Sequence, residues 1–546
     1  MPTEVELKFA IDPELAPRVA RLPLLSRLAT EAPVRRTLTS VYFDTPVADL
    51  RKLQLTLRLR RMQRRWTQTL KREVAPGGGL HVRDEGDHPV TPGTLDLGKI
   101  DDRRLRSQLD QWRVAGELLP RFETVIHRTT WLLHAPDGGL VECALDRGQV
   151  RTLDGQRKVA LCEVELELKS GSPLALFAVA RDLVDALPLT PEAWSKAERG
   201  YALWHREPLT KPRMAGSPVL RAEATAAEAM STIVGSGLAH LHRNWEAATA
   251  SPRYDPEHVH QMRVASRRLR TAFTVFGQLD DGLTTHPLVA ELRWLGGLLG
   301  EARNWDVLLA ETFPKLLATF PDEAGLPPLA RRAGILRRRA RRTVSEALHS
   351  QRYLALVFDL GEFVVAVRER PGLQVPAAPV SARLLSQRQA QLRKRAKRLA
   401  RLSGPERHLL RIAAKKLRYT AEFFGSLYAG GRLDRFLRRF SELQKALGTL
   451  NDLATTRQLM STLAAGAGAD AQRALGLCTG WSAGLEQGSL TDLARRWKAV
   501  ERTQRFWPDA AGDPAPIAAE PPTDAPMQAP GSAEEQGASD PGSRSR

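Results

Sequence analysis

Over the first 205 positions, apolar and polar residues alternate in short runs, and this period of two predicts strands at 4–9, 36–43, 54–59, 65–71, 125–134, 140–145 and 158–168. Turn-forming clusters punctuate them: Pro76-Gly77-Gly78-Gly79, Pro136-Asp137-Gly138-Gly139 and Asp154-Gly155. Helical spacing interrupts the strands at 14–28 and 173–187. After a stretch holding Pro212 and Gly216, the pattern lengthens to the helical period, as at 257–279, 328–349, 386–402 and 406–427. Beyond 507 the chain turns to Pro, Ala, Gly and Ser, too poor in large apolar side chains to offset its ordering entropy. The expectation is an α+β multidomain chain: a mainly antiparallel β domain with minor helices at 1–205, a linker at 206–218, an all-α domain at 219–506 and a disordered tail at 507–546.

The 546 residues are too many for one ordinary core and suggest two or three domains. Apolar residues make up 42%, and no stretch approaches the roughly 20 apolar residues of a membrane span. Glutamates appear at once after Met1, with no basic-then-apolar signal segment, and Cys143, Cys162 and Cys478 form neither a zinc spacing nor a disulfide framework. A soluble, cytoplasmic protein without membrane contact is expected. The net charge of +19 attracts polyanions of any kind.

Alternation also sorts the charges. In the first strand Glu4, Glu6 and Lys8 face one way, and Val5, Leu7 and Phe9 the other. Arg58 shares a face with Arg60, Lys71 with Thr69 and Thr67, Arg83 with Glu85, and Glu142 with Asp146. The strand around Val164 places Glu163, Glu165, Glu167 and Lys169 together. Carboxylates gather on the first and later strands, cations on those between. Opposite charges inside a closed sheet are costly unless something satisfies them. A hard divalent cation held by the carboxylates does so, with a phosphate chain covered by Arg and Lys.

This ordered series resembles the CYTH superfamily, the triphosphate tunnel metalloenzymes, over residues 1–205. Its signature is Glu4-Val5-Glu6-Leu7-Lys8, supported by Tyr42-Phe43-Asp44-Thr45, Leu57-Arg58-Leu59-Arg60, Thr69-Leu70-Lys71, Arg128, the 163–169 run and Ser195-Lys196-Ala197-Glu198-Arg199-Gly200-Tyr201. The resemblance implies an eight-stranded antiparallel β-tunnel binding triphosphates with Mg²⁺ or Mn²⁺. It implies Glu4, Glu6, Glu163, Glu165 and Asp146 as metal ligands. Lys8, Arg58, Arg60, Lys71, Arg128 and Lys196 are the implied substrate-binding cations, with Lys8, Glu165 and Glu85 catalytic. Family activities include inorganic, thiamine and RNA triphosphatase and adenylate cyclase. Hydrolysis of inorganic triphosphate is the expected reaction because no nucleoside or thiamine pocket is legible; the alternatives are adenylate cyclase or thiamine or RNA triphosphatase using the same tunnel, and a non-catalytic polyphosphate scaffold.

In the helical region, His260, Arg263, Arg267, Arg268 and Arg270 recur in spacing as His408, Arg411, Lys415, Lys416 and Arg418. Leu299-Gly300 and Leu447-Gly448 follow at matching offsets, as do Arg303-Asn304 and Asn451-Asp452. The match predicts a helical bundle with an internal two-fold repeat. Residues three, four and seven apart share a helix face, so each set forms a cationic stripe. These segments resemble the CHAD domain over 219–506, which implies binding of long-chain inorganic polyphosphate by these ten residues and association with polyphosphate granules. Further clusters at Arg337-Arg338-Arg339 and Arg393-Lys394-Arg395 would also attract nucleic acid, the lesser expectation in the absence of a recognised module. Oligomeric state is not legible.

Overall fold

The computed structural model describes residues 3–77, 80–192, 194–209, 211–249, 255–428 and 430–509, and for residues 3, 4, 73–77 and 80–85 the backbone alone. Most of the expected tail, 510–546, lies outside the described residues.

Nine strands form one antiparallel sheet: β1 (Thr3–Ala10), β2 (Val34–Asp44), β3 (Leu55–Met62), β4 (Arg65–Gly77), β5 (Leu80–Pro89), β6 (Leu119–His134), β7 (Leu140–Thr152), β8 (Lys158–Ser170) and β9 (Thr190–Pro191). Their order is β5-β4-β3-β2-β6-β7-β8-β1-β9, and β1 pairs with β5 as well. Glu6 and Leu7 pair with β5 and β8 at once, so those strands flank β1 on opposite edges. Phe9 and Ala10 pair with both β8 and β9, so β9 takes over the edge where β5 leaves off.

The expected eight-stranded tunnel is therefore corrected to a nine-stranded sheet in which β1 serves three neighbours. β9 escaped the pattern because two residues, one a proline, carry no alternation. β5 escaped because Asp84-Glu85-Gly86-Asp87-His88 lacks alternating apolar residues.

One face of the sheet is apolar. Leu55, Leu57 and Leu70 pack with Leu105 and Leu109 of the helix Arg103–Val114, which Asp102 caps by accepting from the N–H groups of Arg104 and Leu105. Leu7, Phe9, Val164 and Leu166 pack with Leu176, Phe177 and Leu183 of the helix Leu174–Ala186. That core continues into the helical region, where Phe9 meets Phe358 at 5.9 Å between ring centroids.

The two basic motifs lie on the helices Pro256–Phe276 and Gly404–Phe424, but the expected two-fold repeat is not found among the described residues. The helix after the first motif, Pro287–Val307, has 21 residues and passes into a π-turn. The helix after the second, Arg432–Ala464, has 33 and packs on Ala469–Glu501, another 33-residue helix. The first motif helix packs in the core shared with the sheet; the second contributes Leu410 and Leu417 to a separate cluster with Phe436, Phe440 and Trp497. Matching offsets record a shared helix-face pattern, which does not require equivalent neighbours. Among the described residues, no helix is long and apolar enough to cross a membrane.

Candidate active site

The polar face of the sheet lines a cavity of about 670 Å³, with Glu6 and Lys8 from β1, Arg58 and Arg60 from β3, Lys71 from β4, Arg128 from β6 and Glu165 from β8. Each side chain reaches it because its strand neighbours face the apolar side. The register sets Asp146 of β7 directly across from Glu163 of β8. One carboxylate oxygen from each of Asp146, Glu163 and Glu165 lies within 4.8 Å of the others, and all three residues are buried.

Three cations converge on this acidic group. Lys196 Nζ is 2.7 Å from Asp146 Oδ2 and 2.9 Å from Glu165 Oε1, and also donates to Glu163. Lys8 Nζ is 2.5 Å from Glu165 Oε1 and 3.4 Å from Glu6 Oε1. Arg128 donates to both oxygens of Asp146 and to Glu165. Burial alone would raise the Glu165 and Asp146 carboxyls, but the cations outweigh it: Lys196, Lys8 and Arg128 hold Glu165 well below its ordinary value, and Lys196 and Arg128 lower Asp146. Burial prevails at Glu163, which is raised despite Lys196. Lys196 is pushed down by burial but raised overall by its three carboxylates.

The helix Lys196–His205 positions that ammonium. Ser195 accepts from the Glu198 N–H while Glu198 caps Ser195 in return, so Lys196 is held on the first turn. One turn on, Gly200 lies against the Phe122 ring, and the Tyr201 hydroxyl donates to Asp44 Oδ2 at 2.7 Å.

Of the sequence-expected residues, Lys8, Arg58, Arg60, Lys71, Arg128, Lys196 and Glu165 all line the cavity, and Asp146 and Glu163 complete the acidic group. Glu6 is buried beside Lys8 and is not one of the three clustered carboxylates. The side chains of Glu4 and Glu85 lie outside the described residues. Sequence reasoning gave no site role to Arg36, or to Tyr42 beyond its place in the Tyr42-Phe43-Asp44-Thr45 motif; both line the cavity from β2 and share the even-numbered face of that strand. Burial would raise the Tyr42 phenol, but Arg58 and Arg60 lower it overall.

The basic positions of the helices divide. Arg268 and Lys416 are buried, and Arg268 ties the first motif helix to the second through Glu422, which also accepts from Arg418 Nε at 2.7 Å. Arg267 Nε donates to the Tyr419 hydroxyl at 2.8 Å, so the two stripes lie side by side. Arg263 Nη1 reaches Asn304 at 3.5 Å, and both His408 and Arg411 reach Asn451, at 3.1 and 3.2 Å. Arg263, Arg267, Arg270, Arg411, Lys415 and Arg418 are half-buried. Burial, then Arg303, lowers His260 to about 4, so its ring is neutral at pH 7.

Asp146, Glu163 and Glu165 offer the hard oxygen donors that a divalent cation takes, and the ammonium seated among them marks a position where positive charge is required. With the cations around it, the group is a candidate metal site of the kind a metal-dependent enzyme uses. Residues 2–201 match the CYTH domain model and residues 232–461 the CHAD domain model. The chain thus contains an N-terminal CYTH domain followed by a CHAD domain.

The inorganic triphosphatase of Haemophilus influenzae is 32% identical over 216 residues, which span 38% of this chain and 56% of that protein. An uncharacterized protein of Mycobacterium tuberculosis is 27% identical over 491 residues, 83% of this chain and 87% of the other. The crystal structure of the CHAD domain from the plant Ricinus communis, 32% identical, covers 55% of this chain and 99% of that one with a TM-score of 0.49.

Proposed function

We propose that the sheet cavity hydrolyses inorganic triphosphate to diphosphate and phosphate, and that the helical domain binds long-chain inorganic polyphosphate. The carrying observation is the acidic group of Asp146, Glu163 and Glu165, whose Glu165 lines one cavity with Lys8, Arg58, Arg60, Lys71 and Arg128. The likeness to the Haemophilus influenzae inorganic triphosphatase supports the same reading.

Asp146, Glu163 and Glu165 would hold Mg²⁺ or Mn²⁺, which supplies charge neutralisation at phosphoryl oxygens. Arg58, Arg60, Lys71 and Arg128 bind the non-bridging oxygens, with the arginines able to present paired donors. Lys8 and Lys196 exchange part of their carboxylate contacts for phosphate. Glu165 orients a water for attack on the terminal phosphorus. The bond from that phosphorus to the bridging oxygen breaks, diphosphate leaves with its electron pair, and the water's proton passes to a carboxylate of the cluster. Glu85, opposite Lys71 in the β4–β5 register, is proposed as a further acidic member of the site.

The test is a panel of inorganic triphosphate, ATP, thiamine triphosphate and triphosphorylated RNA, with Mg²⁺ and then Mn²⁺. Preferential phosphate release from inorganic triphosphate is expected. A cyclic product from ATP, or binding without turnover of any compound, overturns the reading. For the helical domain, retention of polyphosphate with a steep salt dependence is expected.

A further inference from the structure

Beyond the sheet, the cavity has another wall. Arg213, in the segment between the domains, and Arg243, on the helix Ala226–Thr249, line it together with Trp194 and Glu198. Neither arginine belongs to the 2–201 match. Both guanidiniums lie over the Trp194 ring, 5.0 Å and 5.9 Å from its centroid. The helical domain fixes this arrangement: Glu246 accepts from Trp194 Nε1 at 2.7 Å, and Asn244 bonds the Arg213 backbone at both N–H and carbonyl, each at 3.0 Å.

The charges in this wall are incompletely matched. Arg243 is 3.2 Å from Glu198, and Arg51, also on the cavity, is 3.3 Å from Glu207. Arg213 has no ion pair among the described residues, and its Nε is buried without a hydrogen-bond partner. Burial first, then the charge of Arg243, lowers its guanidinium. Two like charges held against one indole cost free energy that an anion between them would recover.

Taking the cavity as a site for a phosphate chain, the geometry points to a distal subsite at Arg213 and Arg243 that takes the fourth and later phosphates of a linear chain whose end lies at the Lys8–Arg128 cluster. The CHAD domain then contributes directly to chain-length preference in the CYTH cavity. Arg213 and Arg243 bind, and take no part in bond cleavage.

The experiment is equilibrium binding of inorganic triphosphate and inorganic tetraphosphate to the full chain in EDTA, so that turnover does not intervene. Tetraphosphate is expected to bind tighter, and the Arg213→Ala/Arg243→Ala variant to lose on the order of tenfold of that preference. The Arg213→Lys/Arg243→Lys variant, which keeps the charge, retains most of it. If the alanine variant does not fold, Arg213→Gln alone decides, because it leaves the Arg243–Glu198 pair in place. An unchanged preference in the alanine or glutamine variant overturns the subsite, as does equal loss in the lysine variant, which would assign the arginines to packing on Trp194. Absence of triphosphate turnover would overturn the proposed reaction without touching this binding comparison.

Discussion

Arg128 holds Asp146 by two parallel hydrogen bonds directly across the β6–β7 ladder, Nε to Oδ1 at 2.7 Å and Nη2 to Oδ2 at 2.6 Å. The planar guanidinium matches both carboxylate oxygens at once. Asp146 is fully buried, so loss of Arg128 leaves its charge to Lys196 alone among the close cations. Arg128→Ala is expected to cost about 3–5 kcal/mol in urea denaturation. Arg128→Lys, keeping the charge without the fork, should recover part of it. A wild-type midpoint for the alanine variant would contradict the pairing described here.

Asp146→Asn removes one anionic oxygen donor from the acidic group. Divalent-metal affinity should fall by more than the roughly 10–100-fold that a supporting residue costs. Titration with Mn²⁺ followed by electron paramagnetic resonance reads this without turnover. Unchanged affinity would exclude Asp146 as a ligand.

Glu192 gives a pH signature. It is buried, accepts from the Trp194 N–H at 2.7 Å and pairs with Arg199. Burial, only partly opposed by Arg199, pushes it up from 4.5 to about 7. The folded state therefore keeps the proton longer than the unfolded chain does. Stability from this group falls as pH rises from about 4.5 to about 7 and is level above. Glu192→Gln should remove that slope, at most about 3 kcal/mol between pH 5 and 8. Glu165 runs the other way: its lowered carboxyl contributes stability above the ordinary carboxylate range and loses it on acidification. Parallel pH profiles for wild type and Glu192→Gln would refute the assignment.

Gly200→Ala tests the seat of Lys196. A Cβ there would stand 2.0 Å from Phe122 Cε2. The ring has little room to yield, being fully buried, stacked on Tyr42 at 4.7 Å and edge-on to Tyr201 at 5.1 Å. A cost of about 1–3 kcal/mol is expected, with loss of triphosphate turnover as the Lys196–His205 helix shifts. Full activity with an unchanged melting temperature would show that the helix adapts freely.

Arg411→Glu combined with Lys415→Glu reverses charge on the second basic helix. Retention of long-chain polyphosphate on a filter should fall by at least about tenfold, with hydrolysis of soluble triphosphate kept. Equal loss of both would join the two sites into one.

Side-chain direction was the most legible property. In a strand the backbone alone decides which residues share a face, so Glu6 and Lys8, Arg58 and Arg60, and Glu163 and Glu165 could be grouped before their partners were known. Which strands meet depends on register, and that was hidden. Register sets Asp146 across from Glu163 and leaves Glu6 beside Lys8. Lys196 stands 31 residues from Glu165, and only helix capping and packing on Phe122 bring its ammonium among the carboxylates. The two-residue β9 carried no periodic signal, and the helical motifs matched in offset while their surroundings diverged. Arg213 and Arg243 were invisible because their significance arises where two domains meet.

The ammonium of Lys196 gives the acidic pocket a tethered occupant. Three buried carboxylates are thereby answered from within the chain, by a charge that is covalently attached and cannot diffuse away. Local electrostatic balance then belongs to the covalent chain itself, set by one side chain on the first turn of the Lys196–His205 helix.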